Sequence, residues 1–434
     1  MVQDRSLLFA ACNDTIFETN ERERILKIHI LGICGTFMGG LAQLCCQKGW
    51  DVTGSDKYVY PPMSDQLNSS GINFYLGYEE KNFINADIYV IGNAITKENA
   101  LLKEILRQKK KVISGPKWLY ENLLFNKKVI AVSGTHGKTT VTSMIAHALI
   151  ENNFDANYLI AGIPNKLETS WNISNDKTFI IEADEYDTCY FDKRPKFFHY
   201  HPSILLINNI EFDHADIYEN IEMIENNFFK LIKTMPTNSK VLINESKVRK
   251  SFKDNLNKQN LNTTLKFLSL DALNIYEENK LLAAHAIEDY LPKDEVLKAL
   301  NNYMGVKRRF ETIFDDKNFK LIDDFAHHPT AIEETIKIAK EETDNLTLIL
   351  ELGSNSMKNG IHDETLVNIF KNQETYTINS SFEQRKIFSN YAKELTHGDI
   401  NKICSPDKKK KTILMCGNRN FQGFQKLILD QLIK

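Results

Sequence analysis

Short apolar runs that end in glycine or small polar residues alternate along this chain with stretches of helical spacing. The first run, Ile25-Leu26-Lys27-Ile28-His29-Ile30-Leu31, has strand composition and stops at Gly32. A Gly-rich turn leads into a helix-like stretch from Met38 to Lys48, and Asp51 to Asp56 reads as a second strand. Strand signals return at Ile88 to Ile91 and Lys111 to Ser114, with helical spacing over Asn99 to Gln108 between them. A second series opens with the strand Lys128 to Ser133 and the apolar helix Thr139 to Ile150. It continues with strands at Thr178 to Ile181, Ile204 to Ile207 and Val241 to Ile243, then a helix at Asp294 to Tyr303. A third series has strands at Leu321-Ile322, Leu346 to Leu350 and Thr412 to Cys416, and a helix at Thr330 to Glu341. Alternation of this kind predicts an α/β fold of parallel sheets joined by crossover helices.

At 434 residues, and with about 150 residues to a domain, the three series predict three domains, 22–122, 123–303 and 304–434. The 42% hydrophobic and 26% charged content is that of an ordinary globular protein with large cores. A formal net charge of -3 gives nothing to draw the chain to a nucleic-acid backbone. The basic run Lys408 to Lys411 follows Pro406 and Asp407 and reads as a solvated turn before a strand. Seven cysteines, with Cys45 and Cys46 adjacent and no CxxC, suit reduced thiols better than a disulfide framework. Within Met1 to Arg24, the apolar patch Leu7 to Cys12 is too short for a membrane span and lacks the basic flank of a secretion signal. These features predict a cytoplasmic enzyme with no nucleic-acid, membrane or obligatory protein partner.

Four turns carry candidate chemistry. Val129 to Ser133 delivers Gly134-Thr135-His136-Gly137-Lys138-Thr139-Thr140 onto a helix start, where free N–H groups and the helix dipole favour phosphate. Lys138 is placed for the β- and γ-phosphates and the Thr139 hydroxyl for Mg2+, although Val132 stands where the first glycine of GxxxxGK[ST] belongs. Phe179 to Ile181 ends in Glu182-Ala183-Asp184-Glu185, acidic residues at the carboxyl end of a buried strand, where open α/β sheets bind ligands. Glu182 suits Mg2+, which takes few carboxylates and completes its shell with substrate oxygens. Ile204 to Ile207 releases Asn208-Asn209-Ile210-Glu211-Phe212-Asp213-His214, and His214, coming after those two turns, reads as a metal or phosphate ligand. In the first series, Gly32-Ile33-Cys34-Gly35-Thr36-Phe37-Met38-Gly39-Gly40 looks like a dinucleotide fingerprint with Cys34 at the second glycine and Asp56 as its acidic residue. That turn suits NAD and the diphosphate of a UDP-sugar equally. An NAD-dependent oxidoreductase therefore stands beside an ATP-using enzyme, and a phosphate-loop switch protein accounts for the second series alone.

Taken in order, GTHGKTT (Gly134 to Thr140), EADE (Glu182 to Glu185) and NIEFDH (Asn209 to His214) resemble the Mur ligase superfamily, and the likeness runs from about Lys27 onward. GVKRRFE (Gly305 to Glu311) and DDFAHHPT (Asp323 to Thr330) are similar to the start and the ATP-facing loop of its third domain. The resemblance implies a Rossmann-like UDP-binding domain, a central P-loop-like ATPase domain and a C-terminal Rossmann-like domain. It implies an ADP-forming ligase that uses ATP and Mg2+ to activate a carboxylate as an acyl phosphate for attack by an amine. It implies catalytic roles for Lys138, Glu182 and His214, and Thr139, Glu182 and His214 as holders of Mg2+. Gly134 to Thr140 (Gly134, Thr135, His136, Gly137, Lys138, Thr139, Thr140), with Arg309 and Asp324, are implied around ATP. Gly35, Thr36, Phe37, Met38, Ser55, Asp56, His327, Ser354, Asn355 and Lys358 are implied at the other substrates.

Within the superfamily, GICGTFMGG, VYPPMS (Val59 to Ser64), EYDTCYFDKRPKFFHY (Glu185 to Tyr200), INNIEFDHADIY (Ile207 to Tyr218) and SNSMKNGIH (Ser354 to His362) favour one branch. They are more similar to the members that join a cell-wall tripeptide to UDP-N-acetylmuramate in peptidoglycan recycling than to those that add L-alanine. Two departures stand out. The adenine-side pattern HNxxNxxAA keeps only its tail in Asn279-Lys280-Leu281-Leu282-Ala283-Ala284. Gly353 stands where the family has an arginine before SN[ST]MK, so a nearby cation, Lys358 or Arg385, is expected to take its place.

Overall fold

Strands covered on both faces by helices are apolar at successive positions, and the runs singled out above stack side by side in three sheets. The structure, a computed structural model, describes residues 25–59, 63–167, 169–212 and 217–434. In the first unit, β1 (Lys27–Leu31), β2 (Asp51–Asp56), β3 (Asn73–Leu76), β4 (Ile88–Ile91) and β5 (Val112–Ser114) form a parallel sheet in the order β3-β2-β1-β4-β5. The second unit holds β6 (Lys128–Ser133), β7 (Asn157–Leu159), β8 (Trp171–Asn172) and β9 (Thr178–Glu182). A separate hairpin of β10 (Asp187–Cys189) and β11 (Asp192–Pro195) follows, then β12 (Ile204–Ile207), β13 (Lys240–Asn244) and β14 (Thr264–Leu268). Apart from the hairpin, these strands form one sheet in the order β14-β13-β12-β6-β9-β7-β8. The third unit comprises β15 (Glu311–Asp315), β16 (Phe319–Asp324), β17 (Leu346–Glu351), β18 (Glu374–Ile378), β19 (Lys393–Glu394) and β20 (Lys411–Cys416), ordered β15-β16-β20-β17-β18-β19.

Because side chains alternate across a strand, the central sheet feeds two cores. Ile130, Val132, Ile180 and Leu206 pack against the helix Lys138–Glu151 through Val141, Met144 and Ile145. Val129, Ala131, Phe179 and Ile181 face the other way, into a core shared with Ile28, Ile30 and Leu41 of the first unit. The first helix, Thr36–Gln47, approaches β7 so closely that a Cβ on Gly40 would stand 2.4 Å from Leu159 Cδ1. Two units are thus packed with the Gly-rich turn of one facing the phosphate-type turn of the other.

The structure amends the sequence reading at several points. It adds the helix Met63–Ser69 and the strand β3, whose short run Phe74-Tyr75-Leu76 is mostly exposed at the edge of the sheet. The sheets are not wholly parallel, since β8 and β15 run antiparallel at the edges. Lys411 is no solvated turn residue: it begins β20, is buried, and its ammonium lies 3.4 Å from the Ile403 carbonyl and 3.7 Å from Asp407. The reading of Met1 to Arg24 lies outside the described residues. Among the described residues, no helix is long and apolar enough to cross a membrane, and Cys34, Cys45, Cys46, Cys189, Cys404 and Cys416 are free thiols.

Gly54 in β2 has no room for a side chain, because its Cβ would stand 2.5 Å from Ile33 Cδ1 and 2.8 Å from the Ile30 carbonyl oxygen. Gly54→Ala should cost about 1–3 kcal/mol of stability, the usual penalty of overpacking. Urea denaturation checks this, and a parent-like midpoint would show that the first sheet absorbs the methyl.

Candidate functional site

The site begins with a turn that only glycine can make. Gly134 has φ +140°, and a Cβ on it would stand 3.0 Å from the Asn209 nitrogen and 3.1 Å from the Asn209 oxygen. Gly137 has φ +76° in the left-handed region, and a Cβ there would stand 2.4 Å from Asn208 Nδ2. The strand end after β12 splints this turn. The His136 N–H donates to Asn209 Oδ1 at 2.8 Å, while Asn208 Nδ2 and Asn209 Nδ2 both donate to the His136 carbonyl at 3.1 Å. Ser133 Oγ donates to the Ala183 carbonyl at 2.6 Å, tying the same turn to the acidic end of β9.

Three carboxylates and two lysines converge there. Lys138 Nζ donates to the Gly134 carbonyl at 2.6 Å and lies 3.4 Å from Glu185 and 3.7 Å from Asp184. Burial opposes the Lys138 charge, but Glu185, Asp184 and Glu182 more than offset it, and the pKa is raised. Thr139 Oγ1 donates to Glu182 Oε2 at 2.9 Å, and the Ala161 N–H donates to Glu182 Oε1 at 2.5 Å. Burial, then Asp184, pushes the Glu182 carboxyl up against the pull of Ala161, Arg309 and Thr139. A hydroxyl and a carboxylate this close beside a phosphate-type turn fit Mg2+, which takes hard oxygen ligands. His214, the third metal residue expected, lies outside the described residues. Lys196 was not anticipated. Its ammonium lies 3.3 Å from Asp184, 5.4 Å from the centre of the Phe37 ring and 5.2 Å from that of Tyr186, at the junction of the first two units. No spacing marks it, because it follows β11 of the separate hairpin, at the start of a short 3-10 helix, and not the end of a strand in the central sheet.

The third unit closes on this turn from the other side. The Lys307 N–H donates to the Ile163 carbonyl at 2.8 Å and the Asn165 N–H to the Gly305 carbonyl at 3.0 Å. That pinning brings Arg309 to the phosphate-type turn, where Nη2 donates to Thr139 Oγ1 at 2.9 Å. Buried Asp324 accepts from the Phe310 and Ala326 N–H groups at 2.5 and 2.7 Å and so shapes the loops around Arg309. A second bridge centres on Glu211, which accepts from Thr330 Oγ1 at 2.6 Å and has His136 Nε2 at 3.3 Å and His328 Nδ1 at 3.9 Å. Burial alone would raise the Glu211 pKa, but His136, Thr330 and His328 together take it down to about 2.

One cavity of about 1020 Å3 lies between all three units, large enough for more than one small ligand. Its lining includes Gly35, Thr36, Phe37 and Met38 from the first unit, and Thr135, His136, Gly137, Lys138, Thr139, Thr140 and Glu182 from the second. Arg309, Asp324 and His327 line it from the third. Other expected residues stand elsewhere. Gly134 lies behind the turn and off the lining. Ser55 is a correction: it is fully buried, with Oγ 3.1 Å from His29 Nε2 inside the sheet. Asp56 is absent from the cavity lining, and its half-buried carboxylate accepts from the Cys34 N–H at 2.8 Å, which shapes the first turn. Ser354, Asn355 and Lys358 do not reach this cavity either, and Lys358 lines a separate one in the third unit. Asn279, from the partial adenine-side pattern, does line the main cavity and has its Oδ1 3.5 Å from Asn208 Nδ2.

The Glu211 bridge yields a pH prediction. A carboxyl held at about 2, against an ordinary 4.5, contributes stability that is complete above pH 4.5 and lost as pH falls toward 2. Glu211→Gln should lower the thermal midpoint at pH 7, and its gap from the parent should narrow as pH drops through that window. A gap independent of pH would show that the carboxylate charge does not hold the contact.

Comparison with known proteins agrees with this architecture. Residues 27–126 match the Mur ligase family catalytic domain, and residues 132–310 match the Mur ligase middle domain. The Haemophilus influenzae UDP-N-acetylmuramate–L-alanyl-γ-D-glutamyl-meso-2,6-diaminoheptandioate ligase is 37% identical over 374 residues, 78% of this chain and 82% of its own. The UDP-N-acetylmuramate–L-alanine ligase of Clostridium acetobutylicum is 31% identical over 351 residues, 74% of this chain and 75% of its own. The crystal structure of a murein peptide ligase from Psychrobacter arcticus, 32% identical, superposes with a TM-score of 0.72 over 94% of this chain and 98% of that one. With two matched domains and relatives alike over most of their length, the chain belongs to the Mur ligase family.

Proposed function

We propose that this chain joins the lactyl carboxylate of UDP-N-acetylmuramate to the α-amine of the tripeptide L-Ala-γ-D-Glu-meso-diaminopimelate, with cleavage of ATP to ADP and phosphate. The observation that carries the reading is the single cavity shared by the Gly-rich turn of the first unit, the phosphate-type turn of the second and the loop at Asp324 to His328 of the third. A carboxylate does not form an amide with an amine unaided in water, so it must first be phosphorylated and shielded. The proposed domains, 22–122, 123–303 and 304–434, then bring the UDP-sugar, ATP and the peptide respectively to one place.

In this scheme, N–H groups near Gly35 to Met38 hold the UDP diphosphate, and Gly134 to Thr140 cradle the ATP phosphates at a helix start. Lys138 places its positive charge where phosphoryl charge develops, the dominant protein contribution to phosphoryl transfer. Thr139, Glu182 and His214 would hold Mg2+, which supplies charge neutralisation of the triphosphate. Arg309 adds a guanidinium from the third unit, so the ATP site is complete only when that unit is docked. Lys196, between Asp184 and Phe37, is placed for the lactyl carboxylate or its phosphate. Closure keeps water from the acyl phosphate until the peptide amine arrives beside His327. The proposed location is the cytoplasm, whose reducing conditions suit the free thiols.

The competing reading is addition of L-alanine by the same steps, supported by the Clostridium relative. An NAD-dependent oxidoreductase would leave Lys138, Thr139 and Glu182 without a use. Offering tripeptide and L-alanine in parallel, with UDP-N-acetylmuramate, ATP and Mg2+, should give a higher kcat/KM for tripeptide and one ADP per product. A higher value for L-alanine would move the chain to the other branch, and turnover without ATP would remove it from both. Lys138→Ala should cut ligation by well over tenfold, a barrier rise above about 1.4 kcal/mol, while circular dichroism stays that of the parent.

A further inference from the structure

The carboxyl ends of β17, β18 and β20 enclose a second cavity of about 450 Å3, lined by Glu351, Lys358, Asn379, Gln384 and Arg419 among others. Open α/β sheets bind ligands at this edge. Two cations line the cavity, Lys358 from the short helix Asn355–Lys358 and Arg419 from the turn after β20. Its one carboxylate is already committed. Glu351 is only 1% exposed, its Oε2 accepts from the Arg419 and Phe421 N–H groups at 3.2 Å each, and its Oε1 accepts from Asn379 Nδ2 at 3.4 Å. What remains available is positive.

Gly353 follows the end of β17 by two residues, beside Glu351 of the cavity lining, and Arg419 is laid over it. A Cβ on Gly353 would stand 2.3 Å from Asn418 Oδ1, and 3.1 and 3.2 Å from Cγ and Cδ of Arg419. Arg419 Nε donates to the Gly353 carbonyl at 2.9 Å, and its two terminal nitrogens have no hydrogen-bond partner among the described residues. The stem of Arg419 therefore fills the space through which a side chain at 353 would leave the backbone. Arg385, one of the two substitutes expected from the sequence, is engaged elsewhere: Nε donates to the Ser380 carbonyl at 3.1 Å and Nη2 lies 3.5 Å from Glu394.

We propose that Arg419, assisted by Lys358, binds a carboxylate of the peptide acceptor remote from its attacking amine, so that a glycine at 353 and an arginine at 419 together make this subsite. The inference rests on the proposed tripeptide reaction and adds the residue that selects for it. The guanidinium fork suits a carboxylate in two-pronged contact. The segment from Gly353 to His362 leads from this cavity back toward the main one, where the His362 and His328 rings lie 4.8 Å apart. L-Alanine carries its carboxylate one bond from the carbon that bears its amine and cannot occupy both places. A tripeptide spans about 10 Å when extended and carries carboxylates at its far end.

The test uses the full-length enzyme with three acceptors: the tripeptide, the same peptide with both diaminopimelate carboxyls amidated, and L-alanine. Arg419→Ala should raise the tripeptide KM about ten- to a hundredfold, the scale of one lost charge-assisted pair, with kcat nearly unchanged. KM for ATP and for the amidated peptide should stay at the parent's values, and Arg419→Lys, which keeps the charge without the fork, should fall between parent and Ala. Gly353→Arg alone should lower the thermal midpoint and leave the tripeptide KM no better, because Asn418 and Arg419 occupy its path. An unchanged tripeptide KM in Arg419→Ala, or an equal rise for free and amidated peptide, overturns the inference while the tripeptide reaction stands. A parent enzyme that ligates L-alanine in preference to the peptide overturns the proposed function and this subsite with it.

Discussion

Strand β6 lies between β9 and β12, with Val132 opposite Glu182 and Ser133 opposite Ile207. That parallel register decides what the phosphate-type turn meets. Parallel strands end at the same edge, so a glycine turn, an acidic turn and an asparagine turn are delivered within hydrogen-bond reach of one another. The asparagines then hold the glycine turn open through the N–H and the carbonyl of His136, and Ser133 ties it to Ala183. A slip of one residue would turn the side chains of a strand to the other face, taking Glu182 away from Thr139.

The charges at this edge are balanced across units. Lys138 and Lys196 come from the second unit and Arg309 from the third, against Glu182, Asp184 and Glu185. Buried carboxylates are costly unless paired; Lys138 and Lys196 pair Asp184 and Glu185 within the second unit, and the third unit adds Arg309, whose charge also favours ionised Glu182. The contact between Arg309 and Thr139 and the bridge from Thr330 and His328 to Glu211 are therefore electrostatic couplings between domains. In the proposed reaction, docking of the third unit would also complete the ATP site, which suits an intermediate that must be kept from water.

The third unit shows a different economy. Its sheet presents the ends of β17 and β20 side by side, because Leu350 pairs with Cys416. Adjacent strand ends are interchangeable platforms: a guanidinium can reach the same volume from either one, provided the other carries no side chain in its way. Gly353 beneath the stem of Arg419 has this geometry.

Much of this was legible along the chain. The apolar runs identified most of the buried strands, though not β7 or β18, and β2, β4 and β12 begin and end where the pattern places them. The phosphate-type turn and the acidic strand end could be named from order and spacing, because strand, turn and helix start are neighbours in sequence, whereas Arg309 was implied only by the family resemblance. Short edge elements such as β3, with only Phe74-Tyr75-Leu76 as a signal, were passed over. Ser55 and Asp56 were expected at a ligand, yet β2 turns Ser55 toward His29 and the Cys34 N–H takes Asp56, and neither partner follows from local sequence. Lys196, the Glu211 bridge and the lie of Arg419 over Gly353 depend on residues from 12 to 119 positions apart. The sequence by itself determined the elements and the chemistry available at their ends, since both are set within a few residues. Which side chains face one another across the cavity was decided only by sheet order and domain packing, which bring distant residues within a few ångströms.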